Sequence, residues 1–213
     1  MFSKNNFKIQ GHRGCRGLLP ENTLPAFIKA IELGVTTVEM DVAITKDKLV
    51  VVSHEPWMNH EICLDKNGNE INRADEMRYN IYQMNYDEVK QFDCGSKTHP
   101  RFLYQQKIKT YKPLLSEVID AVENYSTQHD RKINYNIEIK SLPEGDSLFH
   151  PVPETFCKLV VDVINQKKIT RFNLQSFDLR ILKHLNKTHA SLAQTPPEII
   201  PIVKKGKPKP IIR

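Results

Sequence analysis

Short apolar runs alternate along the chain with segments whose apolar residues recur at helical spacing. This alternation predicts strands that are separated by helices, which is the pattern of a parallel α/β fold. The run at 49–52 is apolar at every position and is typical of a parallel strand covered on both faces. The predicted strands cover residues 7–10, 38–42, 49–52, 133–140, 169–177 and 190–194, and the predicted helices cover residues 24–34, 116–123, 153–166 and 178–185.

Residues 56–112 interrupt this alternation and show poor periodicity. We interpret them as an insertion after the third strand, forming a small subdomain or lid with one short helix at 86–92. Most polar and aromatic residues in such a segment serve local packing and solvation, and we assign that role here in preference to substrate contact. The residues concerned are Trp57, His60, Cys94 and His99.

The strand at 38–42 carries two carboxylates two positions apart, Glu39 and Asp41. Side chains at this spacing point to the same face of a strand, while Val38, Met40 and Val42 line the other face. Two carboxylates in a buried strand need a cation or a proton to offset their repulsion and their loss of hydration. The pair is therefore a candidate metal site, and the alternative is two solvent-facing acids on an edge strand.

Charge and composition exclude several classes of protein. The chain has 213 residues and a formal net charge of +6, of which the segment 204–213 supplies five positive charges, so the body is close to neutral and nucleic acid is a poor candidate partner. We see no apolar run long enough for membrane insertion and no signal-peptide core, so a cytoplasmic enzyme is expected. The spacing of Cys15, Cys63, Cys94 and Cys157 fits neither a zinc ribbon nor a disulfide scaffold, and free thiols are expected.

Polar residues gather where the predicted strands end. His12 and Arg13 lie between two glycines after the first strand, His54 follows the third, and Glu138 and Lys140 share one face of the fourth. In a (β/α)8 barrel the carboxyl ends of all strands meet at one mouth, so these residues could surround one ligand. A doubly wound sheet would also collect them, but we find no glycine-rich nucleotide loop, and the barrel is preferred.

Several motifs in order and at similar spacing resemble those of the glycerophosphodiester phosphodiesterase family. The resemblance implies a TIM-type barrel enzyme in which Glu39, Asp41 and Glu138 bind Ca²⁺ or Mg²⁺. It further implies that His12 and His54 are the acid and base, that Arg13 and Lys140 bind the phosphate, and that a small glycerophosphodiester yields glycerol 3-phosphate and an alcohol. The motifs are Gly11-His12-Arg13-Gly14, Pro20-Glu21-Asn22-Thr23, Glu39-x-Asp41, Thr45-Lys46-Asp47, His54, Glu138-x-Lys140 and Gln175-Ser176-Phe177-Asp178.

Two features depart from that family. Glu55 follows His54 where the family usually has aspartate, and the strand markers number about six rather than eight. We therefore expect an incomplete barrel over residues 1–195, with the insertion at 56–112, followed by an irregular Pro- and Lys-rich tail over 196–213. The chain would then be a truncated product, or another chain would supply the missing wall. An inactive phosphoester-binding protein is the alternative function, and the oligomeric state stays open.

Overall fold

The computed structural model describes residues 8–189. Within them the strands and helices follow the predicted alternation, with boundaries shifted by a few residues. Three 3₁₀ turns lie at Glu76–Arg78, Ile81–Gln83 and Pro143–Gly145. The strands are β1 (Gln10–Gly11), β2 (Thr37–Ile44), β3 (Val50–Val52), β4 (Asn134–Ile139) and β5 (Phe172–Gln175), and the helices are α1 (Leu24–Glu32), α2 (Tyr86–Val89), α3 (Leu115–Gln128), α4 (Pro153–Gln166) and α5 (Leu179–His189).

Four of the strands form a parallel sheet in the order β1-β2-β4-β5. Each parallel strand lies beside the one that precedes it, and a helix connects each pair. Strand order that follows chain order in this way is the winding of a (β/α) barrel wall, whereas a doubly wound sheet reverses direction. Over residues 8–189 the wall is not closed, which agrees with the expected incomplete barrel. The predicted strand at 190–194 and the tail lie outside the described residues.

The direction predicted for the third strand is wrong. β3 pairs antiparallel with β2, with Val52 opposite Val42 and Val50 opposite Ile44. The connection between them is a tight turn in which the Leu49 amide donates to the Thr45 hydroxyl at 3.0 Å. A parallel partner needs a crossover of a dozen or more residues, which this turn cannot provide.

β3 is apolar at every position because it is buried on both faces. Val50 and Val52 belong to the main core, whereas Val51 belongs to a second cluster that includes residues of the insertion. The main core fills the space between the sheet and the helices, where α1, α3 and α4 contribute Phe27, Val118 and Phe156. The apolar face of β2 points into this core and its acidic face points away from it.

The segment 56–112 has its own small core, which includes Met58, Ile81 and Val89. Its Cys63 and Cys94 are joined by a disulfide, so the expectation of four free thiols is wrong for this pair, and Cys15 and Cys157 are free. The two cysteines lie 31 residues apart, and sequence spacing alone did not reveal that the fold brings them together.

No helix within the described residues is both long and apolar enough to cross a bilayer. The domain limits at 56–112 and at 195 stay predictions.

Candidate active site

Three buried carboxylates meet on the face of the sheet opposite the main core. In the parallel register Asp41 on β2 lies beside Glu138 on β4, and Glu39 lies two residues before Asp41 on the same face. Carboxylate oxygens of these three residues all lie within 4.8 Å of one another. Glu39 is 3% exposed, Asp41 1% and Glu138 5%, and β2 is an interior strand, so the alternative of solvent-facing acids on an edge strand is wrong.

The local charges act differently on the two acids of β2. Burial and the nearby Asp41 charge raise the pKa of Glu39 to about 8. Burial would also raise the pKa of Asp41, but the charge of Lys140, with smaller contributions from His54 and Arg13, lowers it. At neutral pH Asp41 is therefore the ionised member of the pair, and Glu39 shares the site with a proton or a cation.

Neutral side chains orient these carboxylates. The Asn22 amide donates to Asp41 Oδ2 at 2.9 Å, and the Gln175 amide donates to Glu138 Oε2 at 3.0 Å. Asn136 in turn donates to Gln175 Oε1 at 2.9 Å. The motif residues Asn22 and Gln175, to which the sequence analysis assigned no part in the site, thus hold the acidic cluster from two sides.

The cluster has the composition of a hard-cation site. All three groups offer carboxylate oxygens, which Ca²⁺ and Mg²⁺ prefer, and no thiolate lies among them. Asp41 Oδ1 is buried and has no hydrogen bond of good geometry, although the Lys140 ammonium lies 3.1 Å away. An acidic cluster of this kind could bind a divalent metal ion.

Arg13 and Lys140 bring positive charge to the cluster. Arg13 Nε lies 3.1 Å from Asp41 Oδ2, and the Arg13 backbone amide donates to Glu39 Oε2 at 2.7 Å. Arg13 adopts the left-handed conformation with φ of 52°, which directs its amide and its side chain to the same cluster. Lys140 forms ion pairs with both Asp41 and Glu138.

The two histidines lie in different surroundings. His12 is largely exposed, and its Nε2 lies 3.9 Å from Glu39 Oε2. Partial burial and the charges of Arg13 and Arg16 lower the pKa of His12. His54 is less exposed, and its Nδ1 lies 2.6 Å from Glu55 Oε1. Burial would raise the pKa of Glu55, but this hydrogen bond and the His54 charge lower it. The residue that departs from the family pattern thus contacts the ring of His54.

Three residues near the site escaped sequence analysis as functional candidates. Glu21 is buried and contacts Arg13, and its only signal was its place in the Pro20-Glu21-Asn22-Thr23 motif. His99, interpreted as a local packing residue, lies 3.7 Å from Glu21. Lys112 is only 4% exposed in a segment without periodicity, so the pattern gave no indication of its burial.

Relatives of known structure share this fold. A putative glycerophosphoryl diester phosphodiesterase from Silicibacter pomeroyi is 26% identical, with a TM-score of 0.77 over 88% of this chain and 63% of that one. A phosphodiesterase from Oleispira antarctica, solved in complex with the product sn-glycerol-3-phosphate, is 23% identical, with a TM-score of 0.63 over 92% of this chain and 64% of that one. The fold is therefore of the TIM-barrel type.

Curated relatives point to the same family. A glycerophosphodiester phosphodiesterase from Caldanaerobacter subterraneus is 27% identical over 177 residues, which are 83% of this chain and 62% of that protein. The human lysophospholipase D GDPD1 is 34% identical over 134 residues, covering 62% of this chain and 38% of that protein. The model of the glycerophosphoryl diester phosphodiesterase family matches residues 12–207, nearly the whole length, and the chain belongs to that family.

Proposed function

We propose that this protein is a metal-dependent phosphodiesterase that hydrolyses glycerophosphodiesters to glycerol 3-phosphate and an alcohol. The observation that carries the proposal is the meeting of three buried carboxylates within 4.8 Å, from two neighbouring strands. Hydrolysis of a phosphodiester would also need cationic groups for the phosphate charge and proton-transfer groups beside the acids. Arg13, Lys140 and His12 supply them at short distance.

Glu39, Asp41 and Glu138 would hold the cation, Ca²⁺ or Mg²⁺. When bound, such an ion neutralises phosphate charge and stabilises the charge that develops in the transition state. Arg13 and Lys140 would hold the other phosphate oxygens, since a guanidinium and an ammonium donate several hydrogen bonds to such an anion. The negative charge that makes a phosphodiester resistant to attack would then be offset from several directions.

His12 and His54 would move the protons. The lowered pKa of His12 keeps its ring neutral near pH 7, which suits a base that accepts the proton of the attacking oxygen. The hydrogen bond between His54 Nδ1 and Glu55 leaves the His54 Nε2 to exchange a proton with the departing alkoxide. Glu55 would stabilise the protonated ring before this transfer.

The test measures glycerol 3-phosphate released from glycerophosphocholine by the purified protein, with Ca²⁺ or Mg²⁺ and with a chelator. We expect release that depends on the metal ion and that falls by about 10²–10⁴-fold in His12→Ala, the usual contribution of a general acid or base. The control is His60→Ala, because His60 pairs with Glu76 in the insertion. Release that persists in the chelator, or in His12→Ala, would contradict the proposal.

A second candidate is an inactive phosphoester-binding protein. The sheet is open over residues 8–189, and the chain spans 62% of the length of the relative from Caldanaerobacter. Calorimetry with sn-glycerol 3-phosphate separates the two candidates. Binding without turnover of any glycerophosphodiester, in the presence of either metal ion, would favour the inactive protein.

The expected partner is the small substrate, and no contact with nucleic acid is expected.

The cytoplasmic location also stays a prediction. Because the Cys63–Cys94 disulfide is more typical of oxidising compartments, thiol titration of the protein as isolated from its source is the direct check. Two titratable thiols, those of Cys15 and Cys157, would speak against a reducing compartment, and four would support one.

A further inference from the structure

Glu21 joins two arginines of the loop that follows β1. Its Oε1 lies 2.6 Å from Arg13 Nη1, and its Oε2 lies 2.6 Å from Arg16 Nη2. Glu21 is 8% exposed, and burial alone would raise its pKa. His99 and the two arginines instead hold the pKa of Glu21 well below its usual range, so the group is ionised at neutral pH.

Arg13 is fixed from two directions. Its Nη1 donates to Glu21, and its Nε lies 3.1 Å from Asp41 Oδ2 in the acidic cluster. A guanidinium is planar, so two partners on different nitrogens determine the orientation of its whole plane. Asp41 belongs to the proposed metal site, whereas Glu21 does not, and Glu21 is therefore the partner that can orient Arg13 without also being a proposed metal ligand.

His99 brings the insertion to this pair. The backbone amide of Arg101 donates to His99 Nδ1 at 3.1 Å, so in the neutral ring Nε2 carries the proton. That Nε2 lies 3.7 Å from Glu21 Oε2, and His99 is 4% exposed. The distance is longer than a hydrogen bond, and the contact is an electrostatic one in a site with little water.

Residues that follow His99 in the chain contact the same loop. The Phe102 ring lies 4.7 Å from the His99 ring and 5.1 Å from the Arg16 guanidinium carbon. The Gln105 amide donates to the carbonyls of Arg16 and Leu19 at 2.7 and 3.1 Å. Residues 99–105 thus hold in place the loop that carries Arg13 and Glu21.

We propose that Glu21 and His99 are positioning residues that orient Arg13 for the substrate phosphate, so that the insertion forms part of the phosphate site. This inference rests on the proposed function, in which Arg13 binds that phosphate. Neither residue touches the substrate: Glu21 holds the guanidinium plane, and His99 holds the Glu21 carboxylate in place. An ionised Glu21 also keeps the two arginines close together despite their like charge.

The experiment is a double-mutant cycle on the binding of sn-glycerol 3-phosphate, measured by calorimetry on the metal-supplemented full chain. Glu21→Gln keeps the shape of the side chain but removes its charge, and we expect it to weaken binding about tenfold, the effect of about 1.4 kcal/mol. In an Arg13→Ala background the same substitution should change binding less than twofold. His99→Gln should show the same dependence on Arg13 with a smaller loss.

A purely structural role gives a different result. Equal losses from Glu21→Gln in both backgrounds, or no loss in either, would overturn the proposal. His60→Gln is the matched control in the insertion, because the His60 ring pairs with Glu76 and, within the described chain, forms no hydrogen bond or ion pair with Arg13, Glu21 or His99. If Glu21→Gln lacks a cooperative thermal transition, the cycle with His99→Gln decides.

The same experiment separates this inference from the proposed function. Binding needs no turnover, so a wild-type protein that binds sn-glycerol 3-phosphate without hydrolysing any diester refutes the enzymatic proposal, and the cycle still tests Glu21. Wild-type protein that does not bind sn-glycerol 3-phosphate overturns the inference about Glu21 and His99, whereas the enzymatic proposal stands or falls on turnover of glycerophosphocholine.

Discussion

Lys112 is a buried cation beside the proposed site. No carboxylate of the described residues lies within 4.0 Å of its ammonium, and the residue is 4% exposed. Burial lowers the pKa of Lys112, and the charges of Glu55 and Glu21 only partly oppose this effect. The lysine therefore reaches the same region as the His54–Glu55 pair without a direct ion pair of its own.

This burial predicts a pH dependence of stability. Between the lowered pKa of folded Lys112 and the value of 10.5 in the unfolded chain, the unfolded state binds more protons, so the free energy of unfolding rises with pH. Lys112→Met should lack that rise. Denaturant unfolding of both proteins between pH 8 and 10.5 measures this rise. Tyrosine ionisation contributes equally to both proteins, so the difference between their free energies of unfolding isolates Lys112. Parallel curves would contradict the prediction.

At the scale of single residues, periodicity predicted the position of side chains on the strands but not in the irregular segments. Glu39, Asp41 and Glu138 alternate with apolar neighbours, and this pattern indicated which acids share a face. His99 and Lys112 lie in the segment without periodicity, where only the packing of the folded chain shows that they are buried. Their part in the site could not be inferred from spacing.

Among the elements, the connection from β1 to α1 depends on Gly14. Its φ is +81°, and an added Cβ would lie 2.7–2.8 Å from the backbone and Cβ of Ala26 in α1. Gly14→Ala should lower the free energy of unfolding by about 1–3 kcal/mol, because it adds backbone strain and forces α1 away from the loop. The matched control is Gly17→Ala in the same loop, where a Cβ would meet nothing within 4 Å. Equal denaturation midpoints for the two variants would contradict the prediction.

The disulfide predicts that reduction weakens the insertion. Cross-linking of residues 63 and 94 restricts the unfolded chain, and for a loop of 31 residues the loss on reduction is about 3–4 kcal/mol. Cys63→Ser should therefore lower the melting temperature in the absence of reductant and make it insensitive to dithiothreitol. Cys15→Ser, at a free cysteine, should leave the effect of dithiothreitol intact. Wild-type melting that is identical with and without reductant would refute this.

The apolar run of the third strand does not determine the strand's direction. A strand buried on both faces is apolar at every position whether its partner is parallel or antiparallel, so the residues of β3 could not distinguish the two. The short connection from Thr45 to Leu49 does distinguish them, since only an antiparallel hairpin can have so short a connection. For the direction of a strand, the length of its connection is therefore a better guide than its composition.

For the whole molecule, all proposed functional residues lie within residues 8–189, on or just after neighbouring strands of one sheet. His12, Glu39, His54 and Glu138 follow or lie on β1 to β4 along one stretch of wall. The alternation of strands and helices predicted this wall, whereas closure of a barrel depends on strands that no local pattern within residues 8–189 can supply. The fold type and the open wall were thus predicted from the alternation and the number of strand markers, whereas the roles of the individual site residues stay predictions.

A metal ion at the acidic cluster would link two neighbouring strands and so stabilise the whole fold. Binding to the folded chain alone adds about 2.7 kcal/mol at a hundredfold excess over Kd, which for a protein of this size corresponds to roughly 5–11 °C in Tm. Calcium or magnesium should therefore raise the Tm of the wild-type protein in a saturable way.

Glu39→Gln separates this linkage from general salt effects. Because folding raises the pKa of Glu39 from 4.5 to about 8, the metal-free chain must take up a proton when it folds at pH 7, and this uptake costs stability. An amide of the same shape carries no such cost, so Glu39→Gln should raise the metal-free Tm. The increase in Tm with metal should be lost, because the amide binds a divalent cation less well than a carboxylate does. Glu144→Gln, at an exposed acid, is the control that should keep the full increase. An equal increase in Glu39→Gln and in the wild-type protein would show that the ion binds elsewhere.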